Sequence, residues 1–254
     1  MQTLEQALNT PLPYSQADLH QKIKSFIDLT TLEGADTKDK ITALCAKAKQ
    51  HQTAAICVYP PFAKLARQVL AGTNIQTACV AGAFPSGQSP IHIKTAEVAY
   101  AVEQGAQEID MVISRGTFLE GDYATVGAEI KAIKDACGTA HLKVILETGE
   151  LQTPENIRLA SEIAIAGINT GDFIKTSTGK VAVNATPEAA FEMLHAIREA
   201  YEKTGKKIGF KPAGGVATPA DAEIYVKLVY AILGEEWLTP ALFRIGASRL
   251  VDAL

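Results

Sequence analysis

Short apolar runs alternate with amphipathic segments along most of the chain. One run covers residues 108–113 and another residues 172–175, and each is followed by a stretch whose apolar positions recur with helical spacing. Runs that are apolar on both faces are typical of parallel strands covered by helices. Eight such runs begin between Phe26 and Leu242, on average about 31 residues apart, which is the length of one strand–helix unit.

This repeat predicts an α/β fold, a (β/α)8 TIM barrel that forms a single domain over residues 1–254. An extra N-terminal helix is expected over residues 15–25. Three later helices should begin at Thr-Pro pairs, at 153–154, 186–187 and 218–219, with threonine as the N-cap. A doubly wound open sheet has the same repeat and stays the alternative. The predicted strands are residues 25–29, 54–58, 75–80, 108–113, 141–146, 173–175, 207–211 and 242–246.

Composition and charge argue against several classes of protein. The formal net charge is −4 and no Lys/Arg cluster occurs, which argues against nucleic acid or an anionic membrane as a partner. There is no run of 18 apolar residues, and the first residues lack the basic-then-apolar order of a signal peptide, so a cytoplasmic location is expected. The cysteines form no Cys-x-x-Cys pair and no two histidines have ligand spacing, so neither disulfides nor a metal is predicted, and no cofactor.

Lys175 is out of place in the apolar run Asp172-Phe173-Ile174-Lys175. A buried ammonium costs several kcal/mol unless it is paired or loses its proton. A neutral lysine is a nucleophile that forms imines, for which its pKa must fall from about 10.4 to about 7 to 8. Residue 175 is therefore the candidate nucleophile.

Two further residues complete the candidate catalytic group. Lys211 lies in the next predicted strand and should face Lys175 across one pocket, where its charge, about 6 Å away, would contribute roughly 3 kcal/mol toward lowering the pKa of Lys175. Burial would supply the remainder. Asp110, in the fourth strand, would orient Lys211 and relay protons.

Small-residue turns after three strands predict a phosphate site. The turn at 176–180 places backbone N–H groups, hydroxyls and Lys180 at the carboxyl end of the sixth strand. Gly214-Gly215 and Gly246 follow the last two strands, where unhindered amides can approach an anion. A P-loop is not indicated, because the upstream glycine is absent and Val181 follows Lys180.

These stretches resemble the deoxyribose-phosphate aldolases, a class I aldolase family. The resemblance covers residues 27–32, 53–60, 108–112, 142–151, 172–187 and 209–216. It implies a barrel that cleaves 2-deoxyribose 5-phosphate to acetaldehyde and glyceraldehyde 3-phosphate, with Lys175 as the Schiff-base lysine, Lys211 assisting it and Asp110 relaying protons. Barrels of this family often dimerise, so a homodimer is expected. The implied substrate-binding residues are Gly179, Lys180, Gly214, Gly215, Gly246 and Ser248 at the phosphate, Asp28, Thr30 and Cys57 in the pocket wall, and Thr178 and Val216 beside them.

The sequence departs from the family pattern at three places. Some members have arginine where this chain has Ala217, and a second serine is often found where this chain has Arg249, so the phosphate contacts of this chain are expected to differ from theirs. Some members end in a tail with a terminal tyrosine that assists proton transfer at the enamine carbon, whereas this sequence ends at residues 251–254. We expect normal imine formation. The enamine is then either protonated by a water molecule, or its protonation is slower than in members that have the tyrosine tail.

Other assignments remain open for several of these residues. Asp28 and Glu147 are equally compatible with salt bridges, and Cys57 with a packed thiol, because no histidine or cation is close in sequence. A pyridoxal-phosphate enzyme would also need a strand lysine and a phosphate cradle. A sugar-phosphate binder without catalysis would need only the cradle.

Overall fold

The computed structural model describes residues 3–254, and the chain begins there with two helices. Helix α1 (Leu4–Leu8) starts at a capping box formed by Thr3 and Gln6. Helix α2 (Gln16–Phe26) is capped by Ser15, whose side chain accepts a hydrogen bond from the Asp18 amide. The extra N-terminal helix predicted at 15–25 is thus confirmed, and α1 is an addition.

Eight strands and eight further helices follow. They are β1 (Ile27–Thr30), α3 (Lys38–His51), β2 (Ala55–Val58), α4 (Ala63–Val69), β3 (Gln76–Ala81), α5 (Ile91–Glu103), β4 (Glu108–Val112), α6 (Arg115–Leu119), α7 (Tyr123–Ala136), β5 (His141–Ile145), α8 (Pro154–Gly167), β6 (Phe173–Lys175), α9 (Pro187–Thr204), β7 (Gly209–Lys211), α10 (Pro219–Leu233) and β8 (Ile245–Ala247).

The strands form one parallel sheet that closes on itself. Neighbours run in the order β7-β6-β5-β4-β3-β2-β1-β8. The remaining gap, between β7 and β8, is bridged by the pairs Phe210–Phe243 and Ala213–Gly246 and by the hydrogen bond from the Arg244 amide to the Phe210 carbonyl (3.1 Å). An open doubly wound sheet would leave both edges unpaired, so this closure decides for the (β/α)8 barrel.

Three predicted strand limits need correction. The seventh strand starts at Gly209 rather than residue 207. The first strand starts at Ile27 rather than residue 25, because α2 continues to Phe26 and the Ile27 amide still donates to the Lys24 carbonyl. The last starts at Ile245 rather than 242, because Phe243 makes only an isolated bridge.

The three Thr-Pro helix starts are confirmed. Thr153, Thr186 and Thr218 each accept a hydrogen bond from the amide three residues on, and proline follows at the first helical position. Within residues 3–254, no helix combines the length and the apolar character needed to cross a membrane.

The hydrophobic core lies between the strands and the surrounding helices. Ile109 and Met111 on β4 are fully buried in it, with Ile174 on β6. The alternate positions on these strands, among them Asp110 and Lys175, are also buried but are polar. Because successive side chains of a strand point to opposite faces, the barrel interior is lined with charge while its outer wall is apolar.

Candidate active site

A cavity of about 610 Å³ opens at the carboxyl ends of β1, β6, β7 and β8. Barrel active sites lie at this end of the strands. Nine of the predicted site residues line it: Thr30, Lys175, Thr178, Gly179, Lys180, Gly214, Gly215, Gly246 and Ser248.

The three predicted catalytic residues meet at the floor of this cavity. Lys175 and Lys211 are register partners on β6 and β7, and both Nζ atoms lie 2.8 Å from Oδ2 of Asp110 on β4. Lys175 lines the cavity, whereas Asp110 and Lys211 lie beneath it and are fully buried. The two strand lysines therefore face each other across one carboxylate.

Four more charged residues surround this trio inside the barrel. Asp28 Oδ2 lies 2.5 Å from Lys211 Nζ, and its Oδ1 lies 2.7 Å from the Arg244 guanidinium. Lys143 donates to Glu108 and, at 3.1 Å, to Asp110 Oδ1. Arg244 also donates to Glu108 Oε1, at 2.7 Å. The result is a buried cluster of seven ionisable groups, Asp28, Glu108, Asp110, Lys143, Lys175, Lys211 and Arg244, which we call the interior charge cluster.

Strand periodicity brings these groups together. Glu108 and Asp110 are two residues apart on β4 and so point to the same face, and Lys143 on β5 is the register partner of Asp110. Phe173 and Lys175 alternate in the same way on β6. At Gly209, the register partner of Phe173, an added Cβ would lie 2.4 Å from the Phe173 ring, so this glycine makes room for the aromatic layer below Lys175.

Electrostatics separate Lys175 from the other lysines. Burial lowers the pKa of Lys175 below its ordinary value, the Lys211 charge acts in the same direction, and the opposing effect of Asp110 does not reverse the shift. Burial also disfavours the charged forms of Lys143 and Lys211, but the neighbouring carboxylates outweigh it and raise the pKa of each. Lys175 is thus the lysine of this cluster that loses its proton most readily.

Asp110 and Lys175 do not behave as an isolated ion pair. In such a pair each partner would favour the charged form of the other. Here burial disfavours the carboxylate, but the charges of Lys143, Lys175 and Lys211 together hold the pKa of Asp110 well below its ordinary value. Asp110 is therefore held ionised by three lysines, of which Lys175 is only one.

The expected cause of the Lys175 shift needs a correction. The sequence led us to assign most of it to the Lys211 charge, whereas burial is the largest cause and Lys211 acts less strongly. The reason is geometric, because the Asp110 carboxylate lies between the two ammonium groups and offsets part of their repulsion.

Three residues expected in the substrate pocket do not line it. Asp28 is fully buried beneath it and pairs with Lys211 and Arg244, which is the salt-bridge alternative. Cys57 is also fully buried, and burial raises the pKa of its thiol to about 11, as expected of a packed thiol. Val216 packs into the main hydrophobic core.

The turn after β6 is held from below by Glu147. This buried carboxylate accepts hydrogen bonds from the Thr178 amide (3.1 Å) and the Thr178 hydroxyl, and it lies 3.3 Å from the Arg115 guanidinium. The Lys180 amide in turn donates to the Thr178 hydroxyl, at 3.1 Å. Glu147 thus sets the shape of the turn that carries Gly179 and Lys180. Its ion pair with Arg115 agrees with the salt-bridge role that the sequence left open for this residue.

The cavity rim carries four cations. Arg249 stands where the resemblance leads one to expect serine, and within the described part of the chain it has no ion-pair partner. The three lysines are each paired with a carboxylate, as Lys40–Asp36 (2.5 Å), Lys47–Asp252 (2.6 Å) and Lys180–Glu33 (2.9 Å).

Sequence reasoning missed three members of the interior charge cluster, namely Glu108, Lys143 and Arg244. Each lies within or beside a short apolar run, the same signal that pointed to Asp110 and Lys175. Glu108 and Arg244 sit at the amino-terminal side of their strands, where chemistry is not expected in a barrel, whereas Lys143 sits in the middle of β5, opposite Asp110.

The fold and this floor define a class, a barrel enzyme suited to attack on a carbonyl carbon by an amine. A lysine with a lowered pKa opens to a polar cavity, beside an ionised carboxylate and a second lysine whose pKa is raised. Within residues 3–254, no three His, Cys, Asp or Glu side chains come together as a metal site.

Comparison with known proteins identifies the family. The profile described as DeoC/LacD family aldolase matches residues 23–235. The chain belongs to this family and is an aldolase, which is a lyase. Among curated relatives, human deoxyribose-phosphate aldolase is 48% identical, with 97% of this chain and 83% of that protein covered. The enzyme of the same name from Agrobacterium fabrum is 46% identical, with 90% and 87% covered.

Solved structures agree with this assignment. A protein of Coccidioides immitis assigned as a deoxyribose-phosphate aldolase superposes with a TM-score of 0.80 at 30% identity, covering 96% of this chain and 88% of that one. The deoxyribose phosphate aldolase of Aeropyrum pernix, described as a tetramer, has a TM-score of 0.73 at 24% identity, covering 94% and 97%, and shares the fold.

Proposed function

We propose that this aldolase reversibly cleaves 2-deoxy-D-ribose 5-phosphate to acetaldehyde and D-glyceraldehyde 3-phosphate, in deoxyribonucleoside catabolism, through a Schiff base on Lys175. The observation that carries the proposal is the Lys175 amine at the cavity floor, which shares Asp110 with Lys211 and whose pKa burial lowers. The names of the curated relatives support the substrate.

The first half of the reaction forms the imine. The neutral Lys175 amine adds to the aldehyde carbon C1 of the open-chain sugar and gives a carbinolamine. Loss of its hydroxyl as water leaves a protonated imine, and both steps need a group that moves protons within hydrogen-bond reach. Asp110 lies 2.8 Å from the attacking nitrogen and 2.8 Å from the Lys211 ammonium, so it can pass a proton between them.

The second half breaks the carbon–carbon bond. A base removes the C3 hydroxyl proton, the C2–C3 bonding electrons flow into the iminium, and glyceraldehyde 3-phosphate leaves, with an enamine on Lys175. Protonation of the enamine at C2 and hydrolysis then release acetaldehyde and free the amine. Lys211, whose charge is maintained by Asp28 and Asp110, stabilises the negative charge that develops on oxygen.

The phosphate is proposed to bind at the glycine turns along the cavity. Gly214 and Gly215 have φ of 79° and 81°, a conformation that suits glycine, and within residues 3–254 their amides donate no hydrogen bond, like the amide of Gly179. Arg249 adds a cation that can bind phosphate with two parallel hydrogen bonds. This residue supplies the charge that Ala217 does not provide.

The location, domain organisation and assembly of the enzyme are further proposals. All four cysteines are free and buried, which favours a reducing compartment such as the cytoplasm. The eight strands form one sheet, which supports a single domain over 1–254. A homodimer stays a prediction that sedimentation analysis would test.

One experiment tests the chemistry. The protein is incubated with acetaldehyde, reduced with borohydride, and the modified lysine is mapped by mass spectrometry. We expect the adduct on Lys175, and its loss in Lys175→Met. An undiminished adduct on another lysine, or a yellow protein with the spectrum of bound pyridoxal phosphate, would contradict the proposal.

A further inference from the structure

The interior charge cluster contains one cation more than it has carboxylates. Its acidic members are Asp28, Glu108 and Asp110, and its basic members are Lys143, Lys175, Lys211 and Arg244. All seven are buried, so an unmatched charge among them is costly. With Lys175 neutral, three carboxylates face three cations.

The hydrogen bonds show that Lys175 is the dispensable cation. Each of the six carboxylate oxygens has a partner among the other three. Arg244 contacts Asp28 Oδ1 (2.7 Å) and Glu108 Oε1 (2.7 Å). Lys211 contacts Asp28 Oδ2 (2.5 Å) and Asp110 Oδ2 (2.8 Å), and Lys143 contacts Asp110 Oδ1 (3.1 Å) and Glu108 Oε2. Lys175 touches only Asp110 Oδ2, which Lys211 already occupies, so its deprotonation leaves no carboxylate oxygen without a cation.

We propose that Glu108 and Lys143 are positioning residues that set the charge balance around the reactive amine, so that the floor of the barrel, and not Lys211 alone, keeps Lys175 neutral. The proposal rests on the function given above and adds to it two residues that touch neither Lys175 nor the cavity at the carboxyl end. Their effect passes through Asp110 and through the total charge of the cluster.

The titratable groups around Lys175 come from most strands of the barrel and from the loops above its floor. The thiol of Cys57 is neutral, because burial raises its pKa to about 11, and so it adds no charge to the balance. Above the floor, the Glu147 carboxylate is hydrogen-bonded to Thr178, and Lys180 is paired with Glu33 at the rim. The charged groups are Asp28 on β1, Glu108 and Asp110 on β4, Lys143 on β5, Lys211 on β7 and Arg244 before β8.

The test compares two substitutions of opposite sign. Lys143→Met removes a cation, so the three carboxylates then favour the protonated form of Lys175. The pH midpoint of adduct formation at Lys175 should therefore rise by about one unit. Glu108→Gln removes a carboxylate with little change of shape, so the midpoint should fall by a similar amount. The double variant removes one charge of each sign, and its midpoint should return close to that of the wild-type protein.

The measurement is adduct formation at Lys175 as a function of pH. Each protein is incubated with acetaldehyde at a series of pH values, transferred to borohydride at one fixed pH, and the labelled fraction at residue 175 is measured by mass spectrometry. The matched control is Lys94→Met. Lys94 is another fully buried lysine, bonded to Ser114 (2.7 Å) and Glu129 (3.2 Å) outside the cluster, and its loss should leave the midpoint unchanged.

The outcomes separate the two proposals. Absence of an adduct on residue 175 in the wild-type protein overturns the proposed function itself. An adduct whose midpoint moves in the same direction in both single variants, or that stays shifted in the double variant, overturns the charge-balance proposal and leaves the aldolase intact. If Lys143→Met does not fold, the nearly isosteric Glu108→Gln decides alone, because an unchanged or raised midpoint contradicts the proposal.

Discussion

The two ends of this barrel both hold a cavity lined by buried charge, and only one of them is suited to chemistry. At the amino ends of the strands a cavity of about 900 Å³ is lined by Glu108 and Arg244, and at the carboxyl ends a smaller one, of about 610 Å³, is lined by Lys175. Arg244 donates to two carboxylates and to the Pro240 carbonyl, so it is fully engaged in structure. Lys175 shares a single oxygen and loses its proton readily. The number of fixed partners of the charged group, and not the volume of the cavity, identifies the site.

The largest effect is expected from Asp110→Asn, which removes the carboxylate between the three lysines. Loss of a proton relay typically costs about 10²–10⁴ in rate, and breaking buried ion pairs from one side costs about 3–5 kcal/mol of stability. Steady-state cleavage of 2-deoxyribose 5-phosphate and urea unfolding measure the two losses. A kcat close to that of the wild-type protein would contradict the role given to Asp110.

Acid should destabilise the protein through the three carboxylates of the interior charge cluster, which lies between the two cavities. Burial alone would raise the pKa values of Asp28, Glu108 and Asp110, but the surrounding cations lower all three. Their stabilising effect is therefore complete above their unfolded pKa values of about 3.9 to 4.3 and is lost as the pH falls through the lower folded values.

Glu108→Gln tests the predicted acid destabilisation at the amino end of the strands, where Glu108 lies. It removes one of the three groups that take up a proton on unfolding, so the free energy of unfolding should depend less steeply on pH in the acid range, by at most about 1.4 kcal/mol per pH unit. Urea unfolding at several acid pH values gives the slope, and an unchanged slope would show that folding does not lower the pKa of Glu108.

Glycine-to-alanine substitutions compare the two cavities directly. Gly214 (φ 79°) and Gly72 (φ 77°) line the carboxyl-end and amino-end cavities respectively, and both conformations disfavour alanine. Only at Gly214 would the new Cβ also meet a neighbour, Asn184, at 2.6 Å, whereas Gly72 faces open space.

We therefore expect Gly214→Ala to raise KM for the phosphorylated sugar about tenfold, equivalent to a loss of about 1.4 kcal/mol in binding. Gly72→Ala should cost only the backbone strain in unfolding experiments and leave KM unchanged. Equal kinetics of the two variants would place the phosphate elsewhere.

The smallest effect is expected at the rim. Glu33 is 63% exposed and pairs with Lys180 at 2.9 Å, so it competes with a bound phosphate for that lysine. Glu33→Gln should lower KM for 2-deoxyribose 5-phosphate by up to about fivefold, because an exposed ion pair contributes at most about 1 kcal/mol. The unphosphorylated sugar 2-deoxyribose is the control, and an equal change in its KM would show that Glu33 acts on something other than phosphate.

Much of the fold and part of the site were predictable from local pattern. The repeat of about 31 residues and the short apolar strands indicate a barrel, and the Thr-Pro pairs mark helix starts, because both depend on neighbouring residues along the chain. Lys175, Lys211 and Asp110 could be singled out because a charge in an apolar run is rare. The same rule, applied to every charge within or beside an apolar run, would also have found Lys143 and Glu108.

The sequence by itself determined the succession of strands and helices along the chain, the alternation that puts these charges on one strand face and the glycines that follow the last two strands. Only the tertiary structure decided which lysine has a lowered pKa. A pKa depends on the distances to charges on other strands and on the water excluded by all of them, and Asp28, Asp110 and Arg244 come within 3 Å of their partners from positions up to 216 residues apart in the chain.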